Sequence, residues 1–151
     1  MAIPIFGISD NPVLPKEMTD YWANHPKDPF SGLIIADGHY KEIHHNDFHH
    51  PRRQNSDLAH ELAHILLGHD LDAPVRENGE RAYDRNTEEE AKWLGATLLL
   101  PKKATLMMVL NSYTREMIES EFQVSWALFQ YRIQVTDTVR AARNVKKKYT
   151  G

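Results

Sequence analysis

His60-Glu61-Leu62-Ala63-His64 decides how this chain is read. The stretch has the form H-E-x-x-H. An α-helix turns ~100° and rises ~1.5 Å per residue, so positions four apart lie ~40° from each other and ~6 Å along the axis. Two imidazoles placed that way can meet on one ion. Glu61 falls ~60° from His64 on the helical wheel, near enough to reach a water on that ion without binding the ion itself.

The flanking residues supply the helix. Leu58, Ala59, Leu62, Ile65 and Leu66 gather on one side of the wheel and mark a core face. His60 and His64 project from the opposite side, whereas core histidines would sit on the apolar stripe. Nine histidines in 151 residues make chance a real competitor. A match by composition alone has odds on the order of a few per cent, and the helical phase lowers them. The spacing predicts a helix over 55–67 that stops at Gly68.

A catalytic zinc takes three protein ligands and keeps one position open. The third is sought in Thr87-Glu88-Glu89-Glu90-Ala91-Lys92-Trp93-Leu94-Gly95-Ala96-Thr97-Leu98-Leu99-Leu100-Pro101. Thr87 reads as an N-cap, Glu90 as its capping-box partner and Pro101 as the stop. Ala91, Leu94, Gly95, Leu98 and Leu99 form the expected buried stripe. Glu88 lies at the edge of that stripe, with Glu89 ~100° and Glu90 ~200° away. Glu88 is therefore the carboxylate carried against the neighbouring helix. Ala91 and Gly95 are small enough to let that helix come close. Glu89 and Glu90 are accounted for by the dipole at the helix N-terminus.

These motifs together resemble a known family. An H-E-L-A-H helix, a glutamate two dozen residues later in E-x-x-A, then L-L-L-P, is similar to the ImmA/IrrE metallopeptidases. Upstream, Ser31 to Gly38, Ile43 and Asn46 resemble the family's hairpin, and Arg52-Arg53 its Arg-rich approach. Downstream, Phe122-Gln123-Val124-Ser125 and Tyr131-Arg132-Ile133 resemble its closing helical segment. The resemblance spans roughly residues 30 to 135. It implies that His60, His64 and Glu88 bind one Zn²⁺ per chain and that Glu61 is the catalytic base. Two positions depart from the pattern. Ser56 and Asn55 stand where an aromatic residue and an arginine are common. Lys92 stands where an Asn or Asp is common, and a charged lysine accepts no hydrogen bond. Another group must then orient the ligand histidines, with Asp57, Asp70 and Asp84 as candidates.

The rest of the chain frames this centre. A length of 151 residues fits one domain with a substantial core. There is no cysteine, hence no disulfide framework and no thiolate metal site. The start, Met1 to Gly7, lacks the pattern of a signal peptide, and no stretch reads as a membrane span. A cytoplasmic location is the expectation. A net charge of −3 exerts no global pull on nucleic acid.

Residues 1–14 read as irregular and 15–24 as a short helix opening at Pro15. Strands over 31–36 and 39–45 flank Asp37-Gly38, a type I′ hairpin signal. Residues 70–86 lack periodicity, with Asn78-Gly79 as a turn. Helices are expected from Pro101 onward and over 114–121, 125–134 and 136–148. The expected fold is α+β. A small antiparallel sheet packs on a mainly helical, zincin-like core, and residues from about 102 form a helical C-terminal subdomain within a single metallopeptidase domain.

Other features have two readings each. His39, His44, His45, His49 and His50 crowd the approach to the motif, as a second metal site or, by preference, as solvated loop residues. His69 suits the C-terminus of the first helix by charge, since a ligand so close in sequence would fold back poorly. Tyr83 is a candidate donor to the oxyanion, against simple packing. Met117 to Ile133 has the outline of a helix-turn-helix with Trp126, Gln130 and Arg132 on its second helix. The preferred account is core packing through Val124, Leu128, Phe129 and Ile133, without direct nucleic-acid binding. Arg140, Arg143, Lys146, Lys147 and Lys148 complement a C-terminal helix dipole. Met107 and Met108 read as core filler.

The function expected is zinc-dependent endopeptidase. Its substrate, implied by the resemblance alone, is a helix-turn-helix repressor of the XRE type, cleaved to relieve repression of stress, phage or mobile-element genes. The competing reading is a zinc-stabilised regulatory or antitoxin-binding module that does not cleave, which would need the three ligands but not Glu61.

Overall fold

Ile34 and Ile43 organise the first part of the chain. In the computed structural model, which describes residues 2–71 and 85–150, β2 (Gly32–Asp37) and β3 (Tyr40–His45) pair antiparallel with Ile34 opposite Ile43. Side chains alternate between the two faces of a strand. Ile34 and Ile43 therefore share one face, and both are fully buried. They pack with Ile65 and Leu71, and with the partly buried Leu58 and Leu62 of α2 (Pro51–Leu67).

The hairpin forms where its pattern places it, but its turn is one residue later than Asp37-Gly38. Asp37 pairs with Tyr40, leaving Gly38 and His39 as the loop. Gly38 has φ +55°, and His39 is not among the residues of positive φ. Type I′ needs positive φ at both central positions, so this turn has the sign pattern of type II′ instead.

The sheet is mixed rather than purely antiparallel. β1 (Ile5–Gly7) lies parallel to β3, giving the order β1-β3-β2. This segment was expected to be irregular. Three residues between Pro4 and a 3₁₀ turn at Ile8–Asp10 are too few to show a period. The strand exists through its partner: the Ile43 N–H donates to the Pro4 carbonyl at 3.0 Å. Asp47 holds the segment from the other side, accepting from the Ser9 N–H at 3.0 Å and from the Ser9 hydroxyl.

Helix α1 (Lys16–Asn24) starts behind Pro15 as predicted. Helix α2 begins four residues earlier than the apolar pattern suggests. His50 caps it, its ring nitrogen accepting from the Arg52 N–H, and Pro51 occupies the first turn. Gly68 closes the helix at φ +69°, a left-handed conformation that favours glycine. Helix α3 (Arg85–Leu99) is already helical at Arg85, so Thr87 is an interior position and the expected capping box does not form.

The chain divides into two compact units after Gly95. In the second, α4 (Lys102–Leu110), α5 (Arg115–Glu121) and α6 (Trp126–Val135) surround Leu100, Met108, Ile118, Val124 and Phe129, followed by α7 (Thr138–Thr150). Thr114 and Ser125 cap α5 and α6 by accepting from the N–H groups of Met117 and Leu128. Arg132 is buried, and its Nε donates to the Leu100 carbonyl at 2.9 Å. It serves the fold and presents no guanidinium to solvent. Met108 is core as expected, whereas Met107 is exposed. Among the described residues, no single helix is long and apolar enough to cross a membrane.

One contact sets the distance between α2 and α3. A Cβ on Gly95 would lie 2.9 Å from the Ala59 carbonyl oxygen and 3.1 Å from the His60 nitrogen. Alanine has the better helix propensity by ~1 kcal/mol, but here its methyl meets backbone that cannot rotate away. We expect Gly95→Ala to destabilise the protein by about 1–3 kcal/mol in urea unfolding. A stabilised variant would show that the two helices are free to separate.

Candidate active site and metal centre

The close approach at Gly95 brings three side chains onto one point. His60 and His64, one turn apart on α2, direct their Nε2 atoms at each other across 3.1 Å. Glu88, in the first turn of α3, places Oε2 3.3 Å from His60 Nε2 and Oε1 3.6 Å from His64 Nε2. Metal–nitrogen bonds of 2.0–2.1 Å in a tetrahedron imply ligand atoms about 3.3 Å apart. The observed separations bracket that edge. Two imidazole nitrogens and a carboxylate oxygen are also the donor set that zinc accepts. Among the described residues, this is the one group of three or more His, Cys, Asp or Glu with metal-ligand spacing.

His64 is buried, contrary to its expected place on an open helix face. The wheel identified one covered side of α2, but α3 and His69 cover a second. Leu66 is correspondingly exposed. On α3, Ala91 and Gly95 are buried as predicted, while Leu98 is exposed and Ala96 is buried, as is Leu100 just beyond the helix. Glu61 is half-buried beside the start of β2. A Cβ on Gly32 would meet the His44 carbonyl oxygen at 2.9 Å and would lie at ordinary contact distance, 3.6 Å, from Glu61 Cγ. Tyr83 and Asp84 lie outside the described residues.

Residues 23–134 match the model of one protein family, Peptidase_M78, described as the IrrE N-terminal-like domain. The chain belongs to this family. Its activity class is therefore that of a peptidase of metallopeptidase type. Comparison with curated proteins and with solved structures finds no significant match to either.

In this IrrE-like domain a third histidine meets the ring of His64. Asp57 pairs with His49 at 3.2 Å and Arg53 at 3.6 Å. It is His69 whose Nδ1 lies 2.9 Å from His64 Nδ1, with the rings edge to face. Gly68 makes this possible. Its left-handed turn lets the His69 N–H bond back to the His64 carbonyl at 3.1 Å, which folds the next side chain onto the last turn of the helix. The signal in the sequence is the Gly-His pair immediately after the helix. His69 approaches the Nδ1 side of His64, away from Glu88, and so does not join the ligand atoms.

Three of the five histidines upstream of the motif are built in rather than solvated. His44 contacts Glu42 at 2.7 Å and Asn11 at 3.1 Å, and His45 and His49 are buried. His39 and His50 alone of the five are exposed. The buried Asn46 side chain organises the loop between β3 and α2. It donates to the Phe30 carbonyl at 3.0 Å and accepts from the Phe48 N–H at 3.1 Å.

Burial governs the charge state of the centre. Loss of hydration pushes the His64 pKa down to about 3, and like-charge repulsion from His60 and His69 adds to that shift. Burial also lowers the His60 pKa, more than the Glu88 carboxylate raises it. Neutral rings are what a metal requires, because a proton and a metal compete for the same lone pair.

The sign for stability follows. The unfolded His64 takes up a proton near pH 6.5, while the folded one resists until about pH 3. Its contribution is intact above pH 6.5 and is lost progressively as pH falls toward 3. We expect the urea midpoint of the metal-free protein to decline across that window, and more shallowly in His64→Phe. Equal slopes in the two proteins would place the protonating group elsewhere.

Proposed function

We propose that this chain is a zinc-dependent endopeptidase. One observation carries the reading: in a chain of a peptidase family, His60, His64 and Glu88 bring ligand atoms within 3.1–3.6 Å of one another, with Glu61 adjacent in sequence on the same helix. His60, His64 and Glu88 would hold the ion. When bound, Zn²⁺ supplies Lewis acidity, polarising the scissile carbonyl and lowering the pKa of its water toward ~7. Glu61 accepts the proton of the attacking water and delivers it to the leaving amine nitrogen. Such acid–base help is typically worth about 10²–10⁴-fold. Tyr83 is the candidate donor to the developing oxyanion.

The substrate we propose is a helix-turn-helix repressor of the XRE type, whose cleavage would relieve repression of stress, phage or mobile-element genes. Its support is the family resemblance. The enzyme would act in the cytoplasm.

Glu61 separates an enzyme from a zinc-stabilised binding module. Glu61→Gln keeps size and polarity but is no base at neutral pH. We expect about one zinc per chain by elemental analysis in the wild type and in Glu61→Gln, with strong loss in His60→Ala, His64→Ala and Glu88→Ala. Cleavage of the repressor, followed by mass spectrometry, should fall at least about 10²-fold in Glu61→Gln. Wild-type cleavage by that variant would sink the mechanism. A wild type that binds the repressor but never cuts it would establish the binding module.

A further inference from the structure

His64 presents both ring nitrogens to partners, and only one arrangement of protons serves a metal. Its Nε2 faces the point shared with His60 and Glu88, and its Nδ1 lies 2.9 Å from His69 Nδ1. One proton must occupy the Nδ1–Nδ1 contact, since two lone pairs at that distance would repel. If His69 supplied it, the neutral His64 ring would carry its own proton on Nε2, where a ligand needs a lone pair. His69 would then also turn a bare Nε2 toward the Glu90 carboxylate, whose Oε2 lies 3.3 Å away. The opposite arrangement satisfies both contacts of His69 and leaves His64 Nε2 able to accept from a His60 Nε2–H. Glu90 accepts from His69 Nε2–H, His69 Nδ1 accepts from His64 Nδ1–H, and His64 Nε2 is left with its lone pair.

We infer that His69, backed by Glu90, is a positioning pair that selects the His64 tautomer competent to bind metal and fixes the ring plane. The pair fills the role for which Lys92, exposed on α3, is chemically unsuited. Covering matters as well as charge. The His69 side chain is only 9% exposed, so its bond to His64 is shielded from competing water, whereas Glu90 is 66% exposed and acts through a screened contact. The two members should therefore be unequal, with His69 dominant. Helix α3 thus contributes twice to the same histidine pair, through Glu88 directly and through Glu90 by way of His69.

The inference rests on the three-ligand reading above, so its test combines two readouts. The first is the tautomer of His64 in the metal-free protein, read by long-range ¹H–¹⁵N NMR. The second is zinc affinity, read by competition with a chromophoric chelator. We expect the wild type to show the Nδ1–H tautomer. His69→Leu should convert it to a mixture and weaken zinc by about 10–100-fold. His69→Asn, whose amide oxygen can accept from His64, should recover most of that loss. Glu90→Ala, at an exposed position that cannot threaten the fold, should cost about 2–5-fold and shift the His69 tautomer.

Unchanged His64 tautomer and zinc affinity in both His69→Leu and Glu90→Ala would overturn the proposal. So would an equal loss in His69→Asn and His69→Leu, which would mean that packing alone is involved. A wild type that takes up no zinc, yet whose Nδ1–H tautomer disappears in His69→Leu, would sink the three-ligand reading and leave the positioning role standing.

Discussion

Everything at this centre depends on how closely α3 can approach α2. The limit is set by backbone against backbone, with Gly95 over the Ala59 carbonyl. A side chain there would hold the helices apart, and Glu88 would no longer reach His60 and His64. Helix packing distances normally follow the side chains at the contact, and glycine permits the shortest of them. Ala91, one turn before Gly95 and fully buried, continues the narrow strip. The geometry of the His60, His64 and Glu88 cluster is thus a consequence of two small residues more than of the three side chains themselves.

That approach has an electrostatic cost. Three imidazoles, His60, His64 and His69, are packed edge to face in one partly covered cluster. None can be charged without repelling the others, and His64 is also cut off from water. In the proposed arrangement its protons are shared out along a chain, with carboxylates at both ends. Glu88 closes one end and Glu90 the other. Both come from the first turns of α3, where the helix dipole favours negative charge. A single element thereby supplies both carboxylates and the favourable site for them.

The second unit shows how a polar residue can mislead. Arg132 sits on the helix that follows a turn resembling a helix-turn-helix, where an exposed guanidinium would suggest phosphate contact. It is instead buried, tying α6 to the carbonyl of Leu100 at the end of the preceding segment. A buried arginine needs such an acceptor to offset its lost hydration. Thr105, Thr136 and Thr138 form a second polar knot in this unit, with hydroxyl contacts of 3.2 and 2.6 Å.

Local pattern was enough to determine the H-E-x-x-H helix, the hairpin that precedes it, the approach of Glu88 rather than its two neighbours to His60 and His64, and the role of Gly95. Each depends on periodicity within one element or on a single residue's size, and both are written in the chain. Tertiary structure alone decided the remainder. The strand β1 is stabilised by pairing with β3, which no local period announces. Leu66 and Leu98 are exposed and His64 is buried because a helix can be covered on two sides, while a hydrophobic stripe marks only one. His69 became the partner of His64 through the conformation of one glycine, which brings two residues five apart in sequence into one edge-to-face contact. Contacts between elements are set by distances and proton positions, and a one-dimensional pattern carries neither.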